Sequence, residues 1–398
     1  MKASGQPVMS AEFTGHSYWG FEHPLVLVVD DRLPPIHPVV YAGGRRVLNL
    51  TVLIYVCGFY LMSSSGLRLA EILLEGAPTP FWDVLMQLGV EEATGILPRF
   101  HHDWRQWRYD EPWDYASLSN YKRMVEGYGF KLTVIEDNPP MEKIKYGLPG
   151  KEDQLDSVAR LVENMGKLHI PVWVYNWMPT TWERTRRALR GRGGAIVGGF
   201  NAEDLKDAPP PRLGGVDAPT LWRSLKEFLE FIIPVAESSG VRLAMHPDDP
   251  PVDELQGTAR IMNSVEAFNR LLELSPSESN GITLCQGNFT LMTNNLPATV
   301  AHFLEKGRVY FVHFRDVRGD RHSFVETFID EGMSDLYATM KEYVKHGYHG
   351  PFRVDHTPTL AGDTAQISTP GYSALGRIHA IGYIQGLYRA ALSESHRH

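Results

Sequence analysis

The stretch RLAMHPDDPP, residues 242–251, changes character at its middle. Its first half is an apolar run of the kind found in buried strands, and it continues with His246 and two aspartates set between prolines. Ionisable groups directly after an apolar strand are typical of parallel barrels, whose functional side chains lie at the carboxyl ends of the strands. The fold prediction therefore depends on how many strands of this kind the chain contains.

Eight short apolar runs alternate with longer stretches of helical periodicity, as repeated strand–helix units require. The runs are LRLAEIL (67–73), ATGILPRF (93–100), FKLTVIE (130–136), PVWVYNW (171–177), VRLAMH (241–246), GITLCQ (281–286), VYFVHF (309–314) and PFRVDH (351–356). Eight parallel strands close a (β/α)8 TIM barrel. An open, doubly wound sheet is the alternative, but no glycine-rich phosphate loop follows the first run. The sequence predicts one TIM barrel.

The first 61 residues differ from the rest because they are rich in proline and glycine and have no sustained helical period. The sequence MSSSGLRLAEIL, from Met62, is typical of the start of an enzyme. We therefore predict a poorly structured extension over residues 1–61 and a single catalytic domain over residues 62–398. The glycine-rich stretch RGRGGAIVGGFN, residues 190–201, is predicted to be a loop over the barrel mouth.

The formal net charge of -8 gives no electrostatic reason to expect nucleic acid or an anionic membrane as a partner. The most apolar segment, residues 47–61, is shorter than the roughly 20 residues of a membrane-spanning helix. Cys57 and Cys285 are the only cysteines, so no disulfide framework is implied and a reducing, cytoplasmic location is favoured. We expect a small-molecule substrate, and a homo-oligomer is compatible with the sequence.

Four successive strands end in residues that can bind a metal: His246, Cys285, His313 and Asp355. Each can donate a lone pair to one divalent transition metal at the shared rim. Taken singly, such residues are more often buried packing or hydrogen-bonded groups. Four such residues together, without an ion, would leave buried polar groups without hydrogen-bond partners, at a cost of about 1–3 kcal/mol for each group. The sequence therefore predicts a metal site. A mixed set of nitrogen, sulfur and oxygen ligands binds zinc, iron and manganese, so the identity of the metal does not follow from the ligands.

Two residues near these ligands suit acid–base catalysis. His356 directly follows Asp355, and Tyr372 lies in TPGYSALGR before the last helix. Tyr372 could equally be a packing residue at the start of that helix. Arg315 lies two residues after His313 and can bind an anionic substrate, or it can form a structural salt bridge.

Further candidates for substrate binding follow other strands. Asn176 ends the fourth run, and His101 with His102 follows the second. Asp248 and its neighbour Asp249 can orient His246 or contact substrate hydroxyls. Alternatively, one of the two is a solvated residue of the turn without a role in the site.

The segments RLAMHPDDPP, NGITLCQGN, VYFVHFRDV, RVDH and TPGYSALGR stand in the order found in mannonate dehydratases, and the chain resembles this family over residues 67–387. The resemblance implies a xylose-isomerase-like barrel that dehydrates the sugar acid D-mannonate to 2-dehydro-3-deoxy-D-gluconate in hexuronate (glucuronate) catabolism, with Mn²⁺ or Fe²⁺. It implies that His246, Cys285, His313 and Asp355 bind the metal and that His356 and Tyr372 are catalytic. Val325 stands where the family usually has histidine, and Glu326 is retained.

Two other functions are compatible with the same residues. A metal-dependent isomerase or epimerase would move a proton on a sugar or sugar acid without expelling water. A non-catalytic sugar-acid-binding protein would keep the metal pocket alone, but the acid–base pair beside the ligands favours an enzyme.

Overall fold

The computed structural model describes residues 66–98, 110–364 and 371–396, together with two short paired strands, Tyr41–Ala42 and Arg45–Arg46. The chain divides into two units, Met1–Ser64 and Ser65–His398. The apolar segment 47–61 and the predicted substrate ligand His101 lie outside the described residues.

Eight parallel strands form one sheet in the second unit, and each overlaps one predicted run. They are β1 (Ala70–Leu73), β2 (Glu92–Gly95), β3 (Lys131–Glu136), β4 (Val172–Asn176), β5 (Arg242–His246), β6 (Asn280–Cys285), β7 (Val309–Phe314) and β8 (Phe352–Val354). Each strand pairs in parallel with the next barrel strand along the chain. The eight-stranded barrel prediction is confirmed.

The barrel closes between β1 and β8 through one backbone bridge and one buried side chain. Leu69 and Phe352 form a parallel bridge in which the Phe352 amide donates to the Arg68 carbonyl at 2.8 Å. Further along, the fully buried Glu71 accepts from the Val354 amide at 2.6 Å. The guanidinium of Arg377 lies 2.8 Å from the other oxygen of Glu71. The buried carboxylate of Glu71 therefore has both an ion-pair partner and a hydrogen-bond donor.

Helices surround the sheet. They are α1 (Pro80–Gln87), α2 (Tyr115–Tyr128), α3 (Glu142–Tyr146), α4 (Glu152–Lys167), α5 (Ala218–Ser239), α6 (Val265–Leu274), α7 (Gln286–Thr290), α8 (Leu296–Glu305), α9 (Leu336–Lys345) and α10 (Ala374–Ser395), with short 3-10 turns at Arg192–Gly194 and Ala202–Leu205.

Local sequence signals fix where the helices begin and end. Helix α5 begins where the Asp217 side chain accepts from the Thr220 amide, and it ends at Gly240, whose φ of 66° is left-handed. Along α4, Val158, Leu161 and Met165 are buried at helical spacing, which packs one face of the helix on the barrel. In the described part of the chain, no helix has the length and apolar character needed to cross a membrane.

A second sheet, which we call the cap sheet, has four antiparallel strands: Arg186–Arg190, Ile196–Asn201, Val317–Asp320 and Ser323–Glu326. The prediction of a loop over residues 190–201 is therefore wrong for most of that stretch. Ile196–Asn201 pairs with Ser323–Glu326, and this pairing buries Phe200 against Phe324. The partner strand comes from much later in the chain, so local glycine content did not reveal it.

We predict that a chain beginning at Met62 folds like the full-length protein, because every barrel strand and every surrounding helix that the structure describes lies after that residue. Solubility and melting temperature of the shortened and full-length proteins provide the measurement. An insoluble shortened protein would show that residues 1–61 are part of the folded domain.

Candidate metal centre and active-site cavity

Three predicted metal ligands come together at the carboxyl ends of adjacent strands. One ligand atom from each of His246, Cys285 and His313 lies within 4.8 Å of the others. Cys285 and His313 are register partners on β6 and β7, which places both side chains at the same level of the barrel. The His246 Nδ1 group donates to the Pro247 carbonyl at 2.7 Å, because a carbonyl can only accept. The lone pair of His246 Nε2 therefore faces His313, 3.2 Å from its Nδ1.

Asp355, directly after β8, lies beside this cluster. Its Oδ2 atom is 3.6 Å from His313 Nδ1 and 3.7 Å from Cys285 Sγ. Arg315 Nε lies 2.7 Å from Oδ2, and Arg353 Nη1 lies 3.1 Å from Oδ1. Burial alone would raise the pKa of Asp355, but the positive groups around it hold that pKa well below its usual range. Asp355 is therefore an ionised carboxylate that can serve as a ligand.

The electrostatic surroundings of the cluster favour a cation. Burial and Arg353 lower the pKa of His313, whereas Glu136 and Asp355 raise it, and the result is a pKa of about 9. Glu136 Oε1 lies 3.3 Å from His313 Nε2. The carboxylates that favour a proton here also favour a divalent ion. Two imidazole nitrogens, a thiol and a carboxylate fit a transition metal such as manganese, iron or zinc.

His356 and Tyr372, the predicted acid–base pair, lie next to each other and to Asp355. The Tyr372 hydroxyl donates to Asp355 Oδ1 at 3.0 Å, and the rings of His356 and Tyr372 are 5.2 Å apart. His356 Nδ1 lies 2.5 Å from Glu326 Oε1, so this nitrogen carries the hydrogen, because a carboxylate only accepts. Burial and the charge of Asp355 raise the pKa of Tyr372 well above its usual value. The tyrosine therefore stays a neutral phenol at physiological pH.

A buried ion-pair network supports His356 from the cap-sheet side. Arg184, after β4, donates to Asp249 at 2.7 and 2.9 Å and to Glu326 at 2.8 Å. Burial would raise the pKa of Glu326, but Arg184 and His356 lower it to about 2. Arg184 was not among the predicted site residues, since it ends no strand; its only sequence signal is the segment WERT that follows VYNWMP.

A cavity of 470 Å³ opens beside the cluster at this end of the barrel. Five predicted site residues line it, namely Asn176, His246, Asp355, His356 and Tyr372. Its other polar or aromatic walls include Glu136, Asn138, Tyr175, Trp182 and Asp249. Trp182 is 47% exposed, and its ring lies 5.6 Å from that of His356. The cavity therefore gives a small molecule access to the acid–base pair and to part of the metal cluster.

Two predicted substrate ligands lie behind the cavity wall. Arg315 is buried and contacts Asp355, Asp249 and Asn288. These contacts correspond to the structural salt bridge that was the alternative to substrate binding for this residue. Asp248 is fully buried, accepts from the Met262 amide at 2.7 Å, and has a pKa raised by burial. Direct substrate contacts by Arg315 and Asp248 stay predictions; between the two neighbouring aspartates, Asp249 is the one that lines the cavity.

Eight parallel strands that close a barrel, with this site at their carboxyl ends, are the arrangement of a TIM-barrel enzyme. A xylose isomerase-like TIM barrel protein from Mycobacterium smegmatis, in complex with magnesium, matches with a TM-score of 0.53 and 13% identity, over 82% of this chain and 98% of that one, a likeness of fold alone. A sequence model of the family D-mannonate dehydratase (UxuA) matches residues 82–214 and 212–398. The chain belongs to the mannonate dehydratase family.

Individual relatives agree with this assignment. A mannonate dehydratase of Streptococcus equi subsp. zooepidemicus is 33% identical over an alignment of 314 residues, and the match covers 71% of this chain and 85% of that protein. The crystal structure of mannonate dehydratase from Streptococcus suis serotype 2 matches with a TM-score of 0.73 and 29% identity, over 83% of this chain and 94% of that one. The resemblance noted from the sequence motifs is confirmed, and the protein is an enzyme of the lyase class.

Proposed function

We propose that this enzyme converts D-mannonate to 2-dehydro-3-deoxy-D-gluconate and water, with a divalent metal, in the hexuronate (glucuronate) catabolism of the cytoplasm. The observation that carries the proposal is that one cavity reaches His246 of the three-residue metal cluster and, beside it, His356 and Tyr372. Membership of the mannonate dehydratase family supports the substrate and the reaction.

The residues that would hold the metal are His246, Cys285, His313 and Asp355, with Mn²⁺ or Fe²⁺ as the proposed ion. When bound, the metal supplies electrostatic stabilisation of the negative charge that develops as the proton next to the substrate carboxylate leaves. The protein supplies the geometry, since all four ligands lie on adjacent strands or directly after them.

Dehydration requires one proton to be removed and another to be delivered. The C2–H bond breaks, its electron pair forms the C2=C3 double bond, and the C3–O bond breaks so that hydroxide accepts a proton and leaves as water. The resulting enol becomes the 2-keto product by moving its proton to C3. His356 and Tyr372 divide these two proton transfers, one as base and the other as acid.

Arg184 and Glu326 keep His356 in place for this task. Glu326 accepts from His356 Nδ1, which leaves Nε2 as the nitrogen available for proton transfer. Arg184 in turn fixes Glu326 and Asp249 from within the buried network. The cap sheet therefore takes part in the active site through Glu326, which belongs to its strand Ser323–Glu326.

The test is an assay of the purified protein with Mn²⁺ or Fe²⁺ against a panel of aldonic acids that includes D-mannonate, with product masses recorded. We expect turnover of D-mannonate to a product lighter by one water, and loss of turnover on chelation of the metal. A product of unchanged mass would indicate an isomerase or epimerase instead. No turnover of any member of the panel would indicate a binding protein.

A further inference from the structure

The side-chain amide of Asn176, at the end of β4, is held in one orientation. Its Oδ1 atom accepts from Lys145 Nζ at 3.1 Å and from the Met178 backbone amide at 3.2 Å. Both partners can only donate, so the oxygen must face them and the amide nitrogen must face the other way. Asn176 lines the active-site cavity. The N–H groups of Asn176 are thus donors available to a substrate.

Lys145 fixes this orientation from outside the cavity wall. It lies on α3 with 7% of its surface exposed, and its ammonium also donates to the Met178 carbonyl at 2.9 Å. The Ser224 hydroxyl donates to the Lys145 carbonyl at 2.7 Å, which ties this turn of the chain to α5. Burial lowers the pKa of Lys145 to about 8. A lysine held in this way differs from a surface lysine, because its ammonium donates hydrogen bonds to Asn176 and Met178 instead of to water.

Asn138, two residues after β3, lines the same cavity. Its Oδ1 atom is buried and has no hydrogen-bond partner within the described ranges of the chain. A buried acceptor without a partner is unfavourable, so a rotation of this amide that turns the oxygen toward a donating ligand in the cavity would relieve that cost. The ends of β3 and β4 therefore offer one acceptor and one set of donors on neighbouring strands.

We propose that Asn138 and Asn176 form a subsite for a hydroxyl of an acyclic polyol chain, with Lys145 as the positioning residue of Asn176. A hydroxyl donates one hydrogen bond and accepts others, which matches an acceptor beside a donor, whereas a carboxylate can only accept. The subsite thus directs the hydroxyl-bearing part of a sugar acid to β3 and β4 and leaves its carboxylate for the side where His246 and Asp355 lie. This inference rests on the proposed function in taking a sugar acid as the ligand.

The central test is Asn176→Asp in the full-length, metal-loaded enzyme. The aspartate keeps an oxygen for Lys145 and Met178 but loses the N–H donors. We expect KM for D-mannonate, and its Kd from ligand-induced thermal shifts, to rise by about 10-fold or more, as the loss of a buried hydrogen bond implies. We expect kcat to change far less, since Asn176 is not a proton-transfer group. Asn138→Asp adds the same charge to the same wall but keeps an acceptor, and should weaken binding less.

Lys145→Met tests the positioning role. It should raise KM in the wild-type background and add little in the Asn176→Asp background, because both changes act through one amide. A purely structural Lys145 would lower the melting temperature and give additive effects on KM. If Asn176→Asp does not fold, Asn138→Ala gives the second measurement, as it removes the acceptor and should raise KM for D-mannonate in the same way.

Each outcome decides the proposal. Equal binding by the Asn176→Asp and Asn138→Asp variants, or additive effects of Lys145→Met, would overturn it. A fall in kcat at constant KM would also overturn it, since Asn176 would then act in the chemical step. If wild-type enzyme binds D-mannonate without dehydrating it, the proposed function fails while the Kd values still test the subsite. If it binds no sugar acid at all, both proposals are wrong.

Discussion

Replacing Tyr372 with phenylalanine is expected to lower kcat for D-mannonate dehydration by about 100-fold or more, the effect of losing a group that transfers a proton. The hydroxyl of Tyr372 donates to Asp355 Oδ1, whereas the ring makes the edge-on contact with His356. Phenylalanine keeps that contact and removes the proton-transfer group. Steady-state kinetics of the metal-loaded variant provide the measurement, and we expect KM to change less than kcat.

Tyr337→Phe is the matched control for this variant. Tyr337 lies on α9, is not part of the cavity wall, and its hydroxyl donates to Glu394 Oε2 at 2.6 Å, so phenylalanine removes one hydrogen bond there as well. Removing that hydroxyl should leave kcat unchanged. Tyr372→Phe also loses one hydrogen bond, worth about 1 kcal/mol of the free energy of unfolding, so thermal melting must accompany the kinetics. A near-normal kcat for Tyr372→Phe would remove this residue from the mechanism.

The barrel was predictable from the sequence because its signals are local. Each strand is a short apolar run, and each helix has its own period and end signals, so the pattern identifies strand–helix units one at a time. The cap sheet has no such local signal. Its strand Ile196–Asn201 contains two glycines and pairs with Ser323–Glu326, more than a hundred residues later. Long-range pairing of this kind depends on tertiary structure, which a sequence pattern does not contain.

The same distinction explains what could be predicted of the site. His246, Cys285, His313 and Asp355 could be placed at one rim because parallel strands end there, which turns a position in sequence into a position in space. The roles of Arg184 and Glu326 could not be obtained in this way. Arg184 belongs to a loop and Glu326 to the cap sheet, and they meet only in the folded protein.

The two neighbouring aspartates show a second limit. Asp248 and Asp249 are the same residue type at neighbouring positions, and they differ in the direction in which the turn after β5 points their side chains. In the structure Asp249 lines the cavity and pairs with Arg184, while Asp248 accepts from the Met262 backbone inside the protein. Neighbouring side chains commonly point to opposite sides of an extended backbone, and a sequence alone does not state which side faces the substrate.

Replacing His246 with alanine is expected to remove metal binding and, with it, dehydratase activity. His246 Nε2 faces His313 because Nδ1 donates its hydrogen bond to the Pro247 carbonyl. Alanine has no atom that could bind the metal in place of Nε2. Loss of an outer-shell partner of a metal site typically costs about 10–100-fold in metal affinity, and loss of a direct ligand should exceed that. Metal content after dialysis against Mn²⁺, measured by elemental mass spectrometry, and kcat with added metal provide the two measurements.

His322→Ala is the control, since His322 is an exposed histidine in the turn between two strands of the cap sheet. This variant should bind metal and turn over D-mannonate as the wild type does. If His246→Ala kept full metal content and activity, His246 would not be a ligand, and Cys285, His313 and Asp355 would have to hold the ion alone. If it kept the metal but lost activity, His246 would act on the substrate. Only the joint loss of metal and turnover supports the strand-end cluster as the catalytic metal site, because the two measurements then report the same event.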